Sequence, residues 1–399
     1  MKGTGHGLSA ARLKNVDAYL QRIVDQGKVA GAGGMIIRRG EEAYCSSFGM
    51  RDLEKKERLE NNAIYRIYSM SKTFTIAAAM TLYEKAFFRL HQPIADFIPA
   101  FKDAKVAEID KRGVIKLAPA KNPITFEHLF TMTSGLPYPG DGSYSALAMG
   151  KIYGKAARDA KAGKPWNTAR MIDEAARTPL CFHPGEQWTY GFSHDVLGRL
   201  IEVISGKTLG EYLADTIFKP LGLNDTAFYV PQEKQNRVVT PYKLGPNGLE
   251  EIKGEDNASV NPPAFESGGG GLCSTMLDCA KYAQMLLNNG KLGNERILSR
   301  KTIELIRTNH CETSMLRPAF FGHMTGYGYG LGVRTMLNTA ESGLNGSVGE
   351  WAWDGYMGTY YCVDPVEEMT ALFFIQLVSG INSDLQRGFV QTVYGAIDD

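Results

Sequence analysis

Ile64-Tyr65-Arg66-Ile67-Tyr68-Ser69-Met70-Ser71-Lys72, running on into the Ala-rich segment Thr75 to Tyr83, is the stretch on which the reading of this chain turns. Its first five residues have a strand-like pattern, and the segment from Thr75 onward has a helical one. Ser69 and Lys72 therefore fall three residues apart at the first turn of a helix, on one face of it. A helix N-terminus adds roughly half a positive charge there. That field favours a serine alkoxide and disfavours a protonated lysine, so the pair suits a nucleophile and a neutral base. The plainer reading makes Ser69 a helix cap and Lys72 a solvated cation. The SxxK spacing occurs once in the chain.

Composition narrows the class. The chain has 399 residues, 44% hydrophobic and 22% charged, which fits one large globular unit or two intimate domains around a filled core. A formal net charge of +1 gives no footprint for nucleic acid or an anionic membrane. The first residues, Met1 to Gly7, lack the apolar stretch of a secretion signal. No run reaches the ~18 apolar residues of a membrane span. The six cysteines are scattered without a CxxC pair, so reduced thiols and a cytoplasmic enzyme are expected.

Working outward from Ser69, Leu8 to Lys28 reads as an amphipathic helix, followed by strands at Gly31 to Arg38 and Glu42 to Gly49. Helical patterns occupy the middle, at Asn122 to Leu129, Met171 to Thr178, Ser193 to Ser205, Leu209 to Phe218 and Thr275 to Asn289. Strand patterns return at Tyr327 to Met336, Gly358 to Val363 and Met369 to Val378, and Ser383 to Ile397 closes the chain as a helix. The expected fold class is α+β: one antiparallel sheet flanked by helices and built from both termini, with an inserted, mainly helical domain. The expected domains are 1–85 with 290–399 for the sheet and 86–289 for the helices, with the active site in the cleft between them.

Further segments carry a resemblance. Asn122-Pro123-Ile124-Thr125-Phe126-Glu127-His128-Leu129 with Thr133-Ser134-Gly135-Leu136-Pro137 resembles an "ITxxHLL…TSGLP" stretch. His183-Pro184-Gly185-Glu186-Gln187-Trp188-Thr189-Tyr190 with Asp195-Val196-Leu197-Gly198 is similar to "PGxxWxYS…DxLG". Ser267 to Leu272 looks like a Gly-rich turn into a helix, and Trp353-Asp354-Gly355 with Gly358-Thr359-Tyr360 looks like a third-motif strand. In order and content these segments resemble the serine β-lactamase and penicillin-binding-protein superfamily, most of all class C β-lactamases and family VIII carboxylesterases. The resemblance implies a β-lactamase/transpeptidase-like fold. Two positions depart from it. Phe192 stands where the second motif often has Asn, and Trp353-Asp354-Gly355 replaces Lys-Thr-Gly, removing the cation expected to hold a β-lactam carboxylate. Trp-x-Gly is common in the related esterases.

The resemblance implies an acyl-enzyme on Ser69, with Lys72 as general base and Tyr190 as the second-motif tyrosine whose phenol ionises beside Lys72 and relays the proton to the leaving alcohol. The Ser69 backbone N–H is one oxyanion donor, and Tyr356 or Met357 supplies the other. Trp353 and Gly355 line the cleft or pack as core. Asp354 faces solvent or repels anionic acyl groups. Tyr138 and Phe192 border the substrate region. Met and aromatic residues between 315 and 330 either rim an acyl pocket or belong to core and loop. No metal or organic cofactor is implied, and the partner is a small-molecule ester. Four functions stay open: ester hydrolysis; β-lactam or D-amino-acid peptide hydrolysis; acyl transfer to a small-molecule acceptor; and a non-catalytic scaffold. The oligomeric state stays open as well.

Overall fold

Gly31–Arg38 is buried at almost every position, the mark of a strand covered on both faces. In the computed structural model, which describes residues 6–140, 142–254, 258–316 and 324–399, it pairs antiparallel with Glu41–Asp52 on one side and Met369–Phe374 on the other. Met35 faces Leu372 in this register, so the two ends of the chain meet at the centre of one sheet. The sheet has eight strands in the order Tyr327–Tyr329, Arg334–Met336, Trp351–Asp354, Tyr360–Asp364, Met369–Phe374, Gly31–Arg38, Glu41–Asp52 and Glu57–Arg58. Adjacent strand residues point to opposite faces, and the helices follow that alternation. A side chain at Gly34 would meet Phe389 and Leu20, whereas one at Gly33 would meet Met276. Helices Ala10–Asp25 and Asn382–Tyr394 thus cover one face, and Met276–Leu287 covers the other.

Met276–Leu287 thus lies on the sheet although the sequence reading placed it within the helical segment 86–289. Its Gln284 Nε2 donates to Thr370 Oγ1, and its Tyr282 ring stacks on Phe74 at 3.9 Å between centroids. The remaining middle helices form a second layer: Phe126–Phe130, Tyr144–Lys161, Thr168–Ala175, Ser193–Ser205 and Leu209–Leu213. The 18-residue helix Tyr144–Lys161, absent from the sequence reading, is shallowly seated: only Ser145, Ala146 and Met149 are buried along it, with Ile152, Tyr153 and Ala156 partly covered on the same face. The strand expected over Tyr327 to Met336 is two strands, folded back at a turn where Gly330 N–H donates to Val333 O.

Ser71–Glu84 sits where the layers meet. Every residue from Ser71 to Leu82 is buried, so the helix has no solvent face. Ser193–Ser205 lies against it from the helical layer, and strand Ile64–Arg66 enters it paired with Cys273–Thr275. The starts of two buried helices are thereby fixed beside each other.

Candidate active site

The chain reaches the helix through a 3₁₀ turn, Tyr68–Met70, in which Tyr68 takes a φ of 41°. A bulky residue in that region is strained, and such strain persists only where the surroundings enforce it. The turn leaves Ser69 half-buried at the cleft, and its hydroxyl caps no helix end: the cap position is Met70, with no side-chain bond. Lys72 is 0% exposed, which rules out a solvated cation. Its Nζ donates to Ser69 Oγ at 3.2 Å, to Tyr138 Oη at 3.2 Å and to the Gly269 carbonyl at 2.5 Å.

The second motif arrives beside this pair because Pro137 bridges to Gly191 and Phe192 N–H donates to Leu136 O. Tyr138 and Tyr190 are then neighbours, with ring centroids 5.9 Å apart. Lys72 Nζ lies 4.7 Å from the Tyr190 ring centroid, and the phenol hydrogen-bonds to Ser69. The Gly-rich turn closes the far side, held by Leu272 N–H to Ser71 Oγ and by Thr75 Oγ1 to Gly268 O. Asp195, from the first turn of Ser193–Ser205, reaches underneath: Tyr138 Oη donates to its Oδ2 at 2.9 Å, and Ser267 Oγ and Gly269 N–H donate to its Oδ1. Only glycine fits at 269, because a Cβ there would lie 2.3 Å from both Asp195 Oδ2 and Tyr138 Oη.

Burial governs the protonation of this cluster. It lowers Lys72 to about 8, against the opposing pull of Asp195 and Asp354. It pushes Tyr190 well up, with the Ser69 hydrogen bond only partly offsetting it. Burial thus disfavours the ionised phenol expected at Tyr190 and leaves Lys72 as the group poised near neutrality. Asp195 is also raised by burial, opposed by Lys72 and by its hydrogen-bond donors.

The third motif is partly as read. Trp353 is 2% exposed and lies between Tyr190 and Tyr329, with centroids 5.7 Å and 5.5 Å away. It is the wall behind the catalytic tyrosine candidate. Asp354 is half-buried, and its carboxylate is paired with Arg334, itself 5% exposed, rather than left as a free charge at the cleft. Gly355 lets the strand run against the nucleophile turn, since a Cβ would come 2.4 Å from Ile67 O. Tyr356 is 61% exposed and lines the cleft, its ring against Tyr68. Met357 is fully buried and turns away from it. Phe192 is also fully buried, packed behind Tyr138, Tyr153 and Phe265 rather than on the cleft wall.

Above Ser69 opens a cavity of about 460 Å³, walled mainly by Tyr68, Tyr138, Tyr153, Tyr190, Phe228 and Phe265, with no charged side chain in its lining. A second cavity of about 970 Å³ shares Phe228 and Pro263 with it. Tyr153, Phe228 and Phe265 escaped the sequence reading, and Asp195 was noted only as part of the DxLG resemblance, with no role assigned to it. Residues 317–323, within the segment read as a possible acyl-pocket rim, lie outside the described residues. Ser193, which opens the helix behind the site, is buried and bonded to Ser134 Oγ.

This fold, with a serine–lysine–tyrosine cluster at the junction of its layers, defines a class: the serine hydrolases and acyltransferases. The sequence comparison makes the assignment definite. A beta-lactamase family model matches residues 16–391, and the chain belongs to that family. It is 30% identical to Protein Rv1367c of Mycobacterium tuberculosis over 92% of this chain and 90% of that protein. It is 28% identical to the lovastatin esterase of Penicillium rubens over 94% and 96%. Among solved structures, EstCE1, described as a hydrolase with promiscuous acyltransferase activity, superposes with a TM-score of 0.80 at 22% identity, covering 96% of this chain and 99% of that one. Among the described residues no helix is long and apolar enough to cross a membrane.

Proposed function

We propose that the protein cleaves uncharged carboxylic esters through an acyl-enzyme on Ser69. The observation that carries this reading is the contact of the fully buried Lys72 Nζ with Ser69 Oγ, beneath a cavity with no charged lining. Neutral Lys72 takes the hydroxyl proton as Oγ attacks the ester carbonyl. The oxyanion is held by the N–H groups of Ser69 and Tyr356; among the described residues neither makes a backbone hydrogen bond. As the C–O bond breaks, the alkoxide takes a proton from the Tyr190 phenol, which recovers one from Lys72. Water then enters by the same route in reverse: its proton passes through the Tyr190 phenol to Lys72 as the hydroxyl attacks the acyl carbonyl, and Lys72 returns a proton to Ser69 Oγ as that C–O bond breaks.

The pairing of Arg334 with Asp354 supports esters over β-lactams, because it leaves no free cation at the third motif to hold a carboxylate. A series of p-nitrophenyl esters run beside nitrocefin tests the reading. Esters should turn over, with the activity abolished in Ser69→Ala, and nitrocefin should be a poor substrate. Equal ester turnover by Ser69→Ala refutes it.

A second reading, acyl transfer to an alcohol, rests on the larger cavity that meets the first at Phe228 and Pro263. That space leaves room for an acceptor beside a bound acyl group. The names of its relatives, a lovastatin esterase, an acyltransferase and a hydrolase with promiscuous acyltransferase activity, agree with both readings. Ester products formed on adding alcohols would select the second.

A further inference from the structure

We infer that Asp195 is a positioning residue that aims the lone pair of neutral Lys72 at the Ser69 hydroxyl. The inference rests on the acyl-transfer reading above and adds to it the reason why this lysine acts on this serine.

A neutral lysine amine carries two N–H bonds and one lone pair, and its direction is set by which neighbours can only accept. Lys72 Nζ has three oxygen neighbours: Ser69 Oγ, Tyr138 Oη and Gly269 O. The Gly269 carbonyl has no hydrogen to give. The phenol of Tyr138 has one, and it is committed to Asp195 Oδ2 at 2.9 Å, so Tyr138 also faces the lysine as an acceptor. Both lysine N–H bonds are therefore spoken for once the third proton is lost. The lone pair is left facing the one neighbour with a hydrogen to give, the hydroxyl of Ser69.

Asp195 fixes both of the accepting neighbours. Its Oδ2 holds the Tyr138 hydrogen, and its Oδ1 holds the Gly269 N–H and the Ser267 hydroxyl, which anchors the same turn. The packing is tight enough to enforce this, since no Cβ fits at Gly269 between Asp195 and Tyr138. Asp195 is 1% exposed, so no solvent competes for its oxygens. It is not bonded to the nucleophile and is not itself part of the cavity lining; it acts from behind, through the lining residues Tyr138, Ser267 and Gly269.

Asp195→Asn keeps the shape and reverses one bond. The Asn oxygen goes on accepting from Gly269 and Ser267, while its amide donates to Tyr138 Oη. The Tyr138 hydrogen is then free to turn to Lys72 and occupy the lone pair. The titratable groups facing Lys72 are Tyr138, Tyr190, Asp195, His194 of the same helix and Asp354 of the third-motif strand. Removing the Asp195 charge takes away a group that holds the Lys72 proton on, so the lysine should titrate lower in the variant.

The test measures the rate at which a fluorophosphonate probe labels Ser69 across the pH range in wild type and Asp195→Asn, beside kcat and KM for p-nitrophenyl butyrate. The expected result is a labelling rate and kcat lower by ~100-fold, within the usual span of general-base effects, with KM little changed and the acid limb moved to lower pH. A variant that labels within about twofold of wild type overturns the inference, as does a loss of rate with the acid limb unmoved, which marks a merely structural role. If Asp195→Asn does not fold, Tyr138→Phe removes one of the two fixed acceptors and leaves the carboxylate in place. A fall of about tenfold in labelling then supports the inference, and an unchanged rate overturns it. Labelling separates this from the ester reading: a wild type that labels at Ser69 but cleaves no ester defeats the ester assignment, while the labelling ratio still decides the role of Asp195.

Discussion

The Arg334 guanidinium pairs with the Asp354 carboxylate beneath the third motif, surrounded by the rings of Tyr327, Trp353 and Tyr360. This pair neutralises the motif where β-lactamases keep a free lysine cation. It also explains how a buried arginine is tolerated: charge, hydrogen bond and aromatic faces all oppose its desolvation. Arg334→Met strands Asp354 among those rings. We expect a stability loss of about 3–5 kcal/mol, read as a shift of the urea unfolding midpoint. A shift near zero would mean that the pair is not holding the strand.

Catalysis should follow the titration of Lys72. Its amine is lowered to about 8 by burial, and the reaction needs the neutral form, so kcat/KM for p-nitrophenyl butyrate should rise with pH and level off above about 8. Tyr190 contributes no second limb at neutral pH, because burial moves its phenol up, away from that range. A pH–rate profile checks both points.

Tyr190→Phe keeps the ring against Trp353 and removes the proton relay. It should lower kcat by ~10²–10⁴ without moving the thermal midpoint much. An active Phe variant would shift the proton transfer to the leaving group onto Lys72 alone.

Glu350 gives a stability prediction away from the site. It is fully buried, neither carboxyl oxygen has a hydrogen-bond partner, and burial pushes it up to about 8. The folded protein therefore keeps a proton that the unfolded chain releases above the ordinary carboxylate range. Its folded value is the raised one, so stability is full at low pH and falls as pH rises toward about 8. Glu350→Gln removes that dependence. Its thermal midpoint should exceed the wild-type value at alkaline pH and match it near pH 5, as calorimetry would show. Equal slopes against pH would contradict this.

Much of the fold could be read from periodicity and order. Gly31 to Arg38 and Ser193 to Ser205 have the bounds read from the sequence, since each is closed by a turn or a glycine. Tyr144–Lys161 was hidden because its buried face is thin and carries Gly150 and Gly154. At the site, Ser69, Lys72 and Tyr190 were legible because motif spacing and order carry them. Asp195 was not, because its importance lies in contacts with Tyr138 and Gly269, 57 and 74 residues away in sequence. Phe192, read as bordering the substrate region, packs behind Tyr138 for a related reason: neighbours in a motif turn to different sides, and only packing decides which side meets the cleft.

The most direct test of the account is to trap the acyl-enzyme. The enzyme is mixed with p-nitrophenyl butyrate, quenched in acid within the first turnovers, and its peptides are weighed. The account expects a butyryl group on the peptide carrying Ser69, absent from Ser69→Ala. Butyryl on another residue, or turnover by Ser69→Ala at the wild-type rate, would contradict it.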